Sequence, residues 1–487
     1  MSNSIKVNFF YSSILTCANY FFPLLVYPYI SRVLGVSNIG LINFIDSIIN
    51  YLILFSTMGI AILGIREIAQ VKNNIKKLSQ TFCSLFTLTA IATMVMVVVL
   101  IILTLSVPQL KRDSAMMYIG AIKLISNFFL IEWFYKGLED FRYITIRSII
   151  VRCLYVISVF IFVKEENDTN IYFLITSLSI AINAFINIIN VKKHIILNLK
   201  NINFRPYIRP LFILGLYSVL TSMYTTFNVT FLGFTHGDKE VGYYATATKV
   251  YGILLAIYTA FTGVMIPKMS QLAKNNDLTH FNNLINKSCS ILFSFSIPFI
   301  IVIELLVPQF IFIISGPGYE QADLTMRIIM PLMLIIGYEQ IIVMQGLMPL
   351  KDDSDIFRNS FFGAIVGIVL NLILVNKLGA VGSAIVWLVS EILILILSQL
   401  SINKILGTKF PWKQIAKNCT IGIVMIPIVI FYKNLILNVY VLVTISLITV
   451  TILIIIYQLV LFPHSAVSLI VKSSITKLLS LCRINKF

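Results

Sequence analysis

Charge is scarce in this chain. Only 12% of its 487 residues are Asp, Glu, Lys or Arg, about half the share found in soluble domains. Acidic residues are scarcer than basic ones, 20 against 37, which leaves a formal net charge of +17. So few charges cannot clothe a water-soluble surface. The basic residues are dispersed among short joints rather than gathered into one stripe, so no nucleic-acid partner is expected. The four histidines, His194, His236, His280 and His464, stand singly in joints without an HExxH or comparable spacing. Cys17, Cys83, Cys153, Cys289, Cys419 and Cys482 show no CxxC spacing, and most fall inside apolar runs. They read as small buried hydrophobes, and neither disulfides nor a metal or other cofactor are expected. No Walker A pattern is present, so the chain is not expected to hydrolyse nucleotide. The first apolar run, from near Phe9, is too long for a signal-peptide core, lacks an A-x-A site and reads as a retained span.

Hydrophobic runs are what the chain has in excess: 58% of residues are apolar and the mean hydropathy is +0.93. A helix needs about 20 apolar residues to cover about 30 Å of hydrocarbon. The pattern predicts an all-α polytopic membrane protein of about fourteen spans, at roughly 9–33, 39–63, 80–107, 115–137, 144–164, 170–191, 210–233, 242–266, 284–306, 326–348, 359–376, 381–401, 414–432 and 438–461. Basic joints stay on the cytoplasmic side. With both termini inside, the inner joints and their flanks carry about 26 basic residues, among them Arg66, Lys72, Lys76, Lys77, Lys192, Lys193 and Lys200, against about six outside. Tyr27, Tyr29, Trp133, Tyr135, Tyr243, Tyr244, Trp412 and Tyr432 cluster near span ends, as an interfacial belt does.

A repeat underlies the rhythm. Ile39-Gly40-Leu41 opens span 2 and Val241-Gly242-Tyr243 opens span 8, and the same offset brings Arg66 onto Lys268. Span 3 ends in Val107-Pro108-Gln109-Leu110 and span 9 in Val307-Pro308-Gln309-Phe310; Val381-Gly382-Ser383 at span 12 is a fainter echo. Duplication predicts an N-lobe at 1–191, a basic cytoplasmic linker at 192–209, a C-lobe at 210–401, and a C-terminal part at 402–487 holding spans 13 and 14 and a basic cytoplasmic tail. Two pseudo-symmetric six-helix lobes imply a cleft between them near mid-membrane. Pro23 and Pro28 interrupt the hydrogen-bond ladder of span 1, making it a candidate gate or hinge, with a static kink as the alternative.

Ionisable residues inside spans cost at least about 2.5 kcal/mol each at a helix centre, so they should face the interior. They are Arg32, Asp46, Lys123, Glu132, Arg152, Lys249, Glu304, Glu339 and Glu391, with Arg327 at an edge. Lys123, Arg152, Lys249, Asp46 and Arg32 form the candidate substrate cavity. Asp46 and Lys249, nearly equivalent in the repeat, are a candidate pair. The acids Glu132, Glu304, Glu339 and Glu391 are candidates for ion coupling. Buried cations point to an anionic cargo, phosphate or carboxylate.

Specific residues add a resemblance. Tyr27-Pro-Tyr-Ile-Ser-Arg-Val-Leu-Gly35, Gly40 with Phe44, and Gly59 through Gly64-Ile-Arg-Glu-Ile-Ala69 resemble the opening of Wzx-type polysaccharide flippases of the multidrug/oligosaccharidyl-lipid/polysaccharide exporter superfamily. Glu132-Trp-Phe-Tyr-Lys-Gly-Leu-Glu-Asp-Phe-Arg-Tyr143, continuing to Arg147, resembles that family's joint between spans 4 and 5, and Gly318-Tyr319-Glu-Gln-Ala322 is a weaker match. The resemblance implies two lobes opening alternately around a cationic cavity. It also implies, as cargo, a glycan repeat unit on undecaprenyl diphosphate for O-antigen, capsule or a related polysaccharide. Matching positions are Arg32, Arg66, Glu67, Glu132, Gly137, Arg142 and Arg147; Arg66, Arg142 and Arg147 fall at the inner boundary, where they would meet the diphosphate or anionic lipid. The implied setting is the bacterial cytoplasmic (inner) membrane, the implied partners are membrane lipid, a polysaccharide polymerase and a chain-length regulator, and the protein is expected to be a monomer and not an enzyme. Two rivals are a multidrug exporter of the same superfamily, which would favour acidic cavity residues, and a membrane glycan polymerase or glycosyltransferase, which would need a larger outer loop.

Overall fold

The computed structural model describes residues 5–196, 202–350, 352–461 and 468. Lys200, His464, Cys482 and the basic tail expected after 461 lie outside them. The described residues form helices and no strand: α1 (Ile5–Thr57), α2 (Ile60–Val71), α3 (Ile75–Ser106), α4 (Pro108–Arg112), α5 (Ser114–Leu130), α6 (Glu132–Gly137), α7 (Phe141–Phe162), α8 (Thr169–Val191), α9 (Arg205–Ser222), α10 (Thr226–His236), α11 (Asp238–Lys274), α12 (Leu278–Leu305), α13 (Val307–Ser315), α14 (Ala322–Ile329), α15 (Leu332–Gln340), α16 (Asp353–Leu370), α17 (Asn376–Leu406), α18 (Trp412–Cys419), α19 (Ile421–Leu435) and α20 (Val439–Leu461). Wide π-helical turns continue α15 over Ile341–Leu347 and α16 over Asn371–Val375.

This is a multi-pass membrane protein. Ten helical segments among the described residues are long and apolar enough to cross a bilayer, or eleven when α9 and α10, bent by 52°, count as one. Fourteen spans were expected. The difference arises partly because two of the ten, Phe10–Val71 and Ser354–Leu406, are 62 and 53 residues long. At 1.5 Å per residue the first would run about 90 Å, three times the hydrocarbon thickness. Each contains a non-helical glycine at an expected joint, Gly35 in α1 and Gly379 in α17, and the first also contains Gly59 between α1 and α2. The eighth expected span falls on α11, several of whose side chains are outside the described set.

The chain divides into two compact units, Met1–Ala245 with Ala364–Trp387, and Thr246–Gly363 with Leu388–Phe487. These boundaries differ from the expected lobes: polar contacts bind 210–245 to α1, and 364–387 to 210–245. Ser47 Oγ and Thr230 Oγ1 share a hydrogen bond of 2.7 Å, and the Tyr51 hydroxyl donates to the Ser222 carbonyl at 3.0 Å. Buried Asn371 donates to Asn228 Oδ1 at 2.7 Å, and Glu240 Oε2 accepts from the backbone N–H of Ala380 at 2.8 Å.

Within the first unit the repeat becomes a physical contact. Gly35 ends the first half of α1 at φ 74°, ψ 171°, and Gly237 caps α10 at φ 79°, ψ −171°, the same left-handed conformation 202 residues later. A Cβ added at Gly40 would lie 1.6 Å from the carbonyl oxygen of Asp238, and one added at Gly242 would lie 2.2 Å from that of Val36. Gly40 and Gly242 are 202 residues apart, as are Val36 and Asp238. The contact is therefore reciprocal, the arrangement that a local two-fold axis relating the two segments would produce.

A further echo follows within each unit. Both α3 and α12 give way to a short helix with proline in its first turn, at Pro108 and Pro308. The chain breaks at Ile131 between α5 and α6, whereas Met330 and Pro331, 200 residues on between α14 and α15, keep helical backbone angles. In the same way, α1 keeps a helical backbone through Pro23 and Pro28. Each proline removes one donor, and the fixed φ still suits a helix, so the sharp departure comes at Gly35 instead.

Candidate functional site

The two best-matched motifs fold onto each other. Sequence around Gly59–Ala69 forms α2, and Glu132–Tyr143 forms α6, a tight turn and the start of α7, where the Asp140 side chain caps by accepting from the Tyr143 N–H. Gly64 gives room for the Trp133 indole, since a Cβ there would come within 2.6 Å of the ring. Gly137 likewise accommodates Ile68. Trp133 stacks on Phe82 with ring centroids 5.6 Å apart, and the surrounding cluster includes buried Leu63, Phe134 and Tyr135.

That packing holds a charged triad. Glu132 follows Ile131, a β-branched residue at φ 35°, ψ 35° that turns the chain out of α5. The Leu130 carbonyl at this break accepts from the Asn187 side-chain amide, while Tyr135 donates to the Asn187 carbonyl at 2.7 Å. The Glu132 carboxylate accepts from Arg147 Nη2 at 2.9 Å on one oxygen and meets Lys136 Nζ at 3.2 Å on the other. The Arg147 side chain is only 3% exposed, against 28% for Glu132 and 36% for Lys136. Its guanidinium also lies 6.0 Å from the Tyr143 ring centroid.

A second group joins α1 to α5. Lys123 Nζ donates to Asp46 Oδ1 at 2.5 Å and to Asn50 Oδ1 at 3.0 Å, and Asn50 Nδ2 donates back to Asp46 at 3.1 Å. The expected partner of Asp46 was Lys249; Lys123 holds the carboxylate instead, because residues 46 and 50 share one face of α1, one turn apart. Asp46→Asn and Lys123→Met should each destabilise the purified protein by about 1–2 kcal/mol, with a coupling of about 1 kcal/mol in the double variant. Strictly additive changes in denaturant midpoints would show that the pair does not hold α1 to α5.

The remaining candidates are placed separately. Arg152 donates to Asn19 Oδ1 at 2.5 Å. Arg32 is exposed and donates to the Pro28 carbonyl of its own helix at 2.6 Å. Arg66 is exposed beside Glu67 at 3.1 Å, and Arg142 is exposed on α7. Arg147, expected at the boundary with Arg66 and Arg142, is buried instead: on α7 it lies five residues from Arg142, rotated to the side packed on α6. In the second unit, Lys249 is exposed on α11. Arg327 lies 3.6 Å from the Glu304 carboxylate and 3.3 Å from Asp323. Glu339 on α15 and buried Glu391 on α17 face each other within reach of their carboxyl groups. Backbone N–H groups of Lys164 and Glu165 donate to Asp168 Oδ2 at 2.7 and 2.9 Å. Asp355 pairs with Arg358 at 2.9 Å in the first turns of α16.

Sequence reading missed the partners Lys136, Asn19, Asn50 and Asn187. Glu132 and Lys136 carried a usable signal, the four-residue spacing of a helical ion pair.

Comparison with known proteins adds three findings. The sequence pattern of the family described as "Polysaccharide biosynthesis protein" matches residues 5–273. A protein named "Putative O-antigen transporter" from Escherichia coli (strain K12) is 25% identical over 396 residues, 80% of this chain and 95% of that protein. Among solved structures, the lipid II flippase MurJ in an inward closed conformation superposes with a TM-score of 0.74 at 16% identity, covering 94% of this chain and 98% of MurJ. An inward-facing multidrug resistance MATE family transporter of the MOP superfamily gives 0.61 at 13% identity, covering 81% and 94%. The fold is the one these transporters share.

Proposed function

We propose that this chain, which belongs to the polysaccharide biosynthesis protein family, is a flippase that carries undecaprenyl-diphosphate-linked oligosaccharide repeat units from the inner to the outer leaflet of the bacterial cytoplasmic membrane. Its relatives are named as transporters, not enzymes. The observation that carries the reading is a cation inside a membrane-spanning helix, Arg147, 3% exposed and held by a single carboxylate. A desolvated guanidinium suits phosphate and repels the cations that a drug exporter would favour.

In this reading twelve of fourteen crossings form two lobes, 1–191 and 210–401, that open alternately, the last two crossings lie in 402–487, and both termini are cytoplasmic. Lys123, Arg152 and Lys249 line the path of the diphosphate, with Arg66 and Arg142 at its inner mouth. Coupling to an ion falls to Glu339 and Glu391, with Glu304 beside Arg327. A polymerase and a chain-length regulator receive the product, and the protein acts as a monomer.

Deleting the gene should cause lipid-linked repeat units to accumulate on the inner leaflet, and the intact gene should clear them. Arg152→Ala or Lys249→Ala should reduce surface polysaccharide with membrane abundance unchanged. Unaltered polysaccharide in the deletion strain would end the proposal.

A further inference from the structure

A cavity of about 170 Å³ opens in the first unit beside the charged triad. Its size suits a small anionic headgroup. Two backbone breaks border it. Thr57 and Ile60 line it from either side of Met58 and Gly59, both at positive φ, and Leu130, Ile131 and Glu132 line it at the break between α5 and α6. Irregular backbone at membrane depth is tolerated where it lines a polar cavity, and such discontinuities mark binding sites in transporters.

The polar wall is unevenly satisfied. Glu132 and Lys136 face the cavity and hold each other at 3.2 Å. Asn127 also lines it, and its side-chain amide makes no hydrogen bond among the described residues. Behind Glu132, Arg147 spends Nη2 on the carboxylate and on Ser148, while its buried Nε and Nη1 have no acceptor. A buried guanidinium with two unused donors is costly, and a second carboxylate oxygen would satisfy it as a two-pronged pair.

We propose that this cavity binds the diphosphate of the cargo by carboxylate exchange. The ligand takes Lys136 and the Asn127 amide, and the displaced oxygen of Glu132 turns onto the idle donors of Arg147. Glu132 thus stands in for the ligand in the empty protein: its charge neutralises Lys136 until a stronger anion arrives, and Arg147 accepts it afterwards. The exchange needs no change in protonation and makes no covalent bond. It rests on the flippase reading for the identity of the cargo, and on the cavity alone for the diphosphate chemistry.

Calorimetry on the full chain in nanodiscs tests it, with inorganic pyrophosphate and membrane-embedded undecaprenyl diphosphate as separate probes. Lys136→Ala should weaken binding of either probe about tenfold. Glu132→Gln, which keeps shape and an acceptor for Arg147 but no longer competes as an anion, should tighten it about fivefold. Arg147→Lys, which preserves charge and removes the fork, should weaken binding without touching the ligand. A Glu132→Gln protein that unfolds at the wild-type temperature and binds no more tightly would overturn the exchange, as would wild-type affinity in Lys136→Ala. Binding of pyrophosphate but not of the lipid would overturn the lipid headgroup as occupant. If the calorimetric pattern holds while the protein translocates no lipid-linked glycan, the flippase reading fails and the site stands.

Discussion

Gly40→Ala should nearly abolish the folded protein in the membrane, and Gly242→Ala should do the same. The added methyl at Gly40 would lie 1.6 Å from the Asp238 carbonyl oxygen and 2.8 Å from the Gly242 nitrogen, so backbones rather than flexible side chains must move. Overpacking against side chains costs about 1–3 kcal/mol; forcing two helices apart should cost about 4 kcal/mol or more, at the extreme of single-residue effects. Close approach of small residues is what holds membrane helices together where lipid gives no hydrophobic drive between them. The control is Gly252→Ala, where no atom among the described residues lies within 4 Å of the new one. Because one outward shift relieves both clashes, Gly40→Ala with Gly242→Ala should cost less than the two costs summed. Membrane abundance and thermal unfolding in detergent measure all four; near-normal stability in either single variant would refute the reciprocal packing.

Those two glycines were legible as members of a repeat, yet their contact was not. A shared offset reveals kinship between segments, but it cannot say that duplicated segments touch. Helical, membrane-spanning character was plain because runs such as Ile75–Ser106 contain no charge after Lys77. Span boundaries were harder: glycine marks the joint at Gly35 as it does at Gly59, and only the backbone distinguishes a joint between spans from a break near the end of one. The same difficulty hid the break at Ile131, a residue whose branched side chain argues against positive φ. For charges, sequence identified which residues are costly in a membrane but not which meet. Asp46 was matched to Lys249 by repeat position, whereas helix phase and tertiary packing chose Lys123. Arg147 followed the exposed Arg142 in the motif, and five residues of helical rotation carried it inside.

Burial of Arg147 leads to the second large effect. Glu132→Leu should destabilise the protein by about 4 kcal/mol, since it strands a guanidinium 3% exposed with no carboxylate to face. Arg147→Met should cost less, because Glu132 keeps Lys136 and is still 28% exposed. The combination, Glu132→Leu with Arg147→Met, removes both charges and should recover most of the stability, as replacement of partly buried pairs by apolar residues commonly does. Denaturant unfolding in detergent checks the order of the three. If the pair serves only to hold α6 against α7, the recovered double variant should also restore surface polysaccharide. If it serves the cargo, the double variant should be abundant, stable and unable to restore it. An ion pair that apolar residues can replace without loss of stability is better explained by the anion it handles than by the fold it supports.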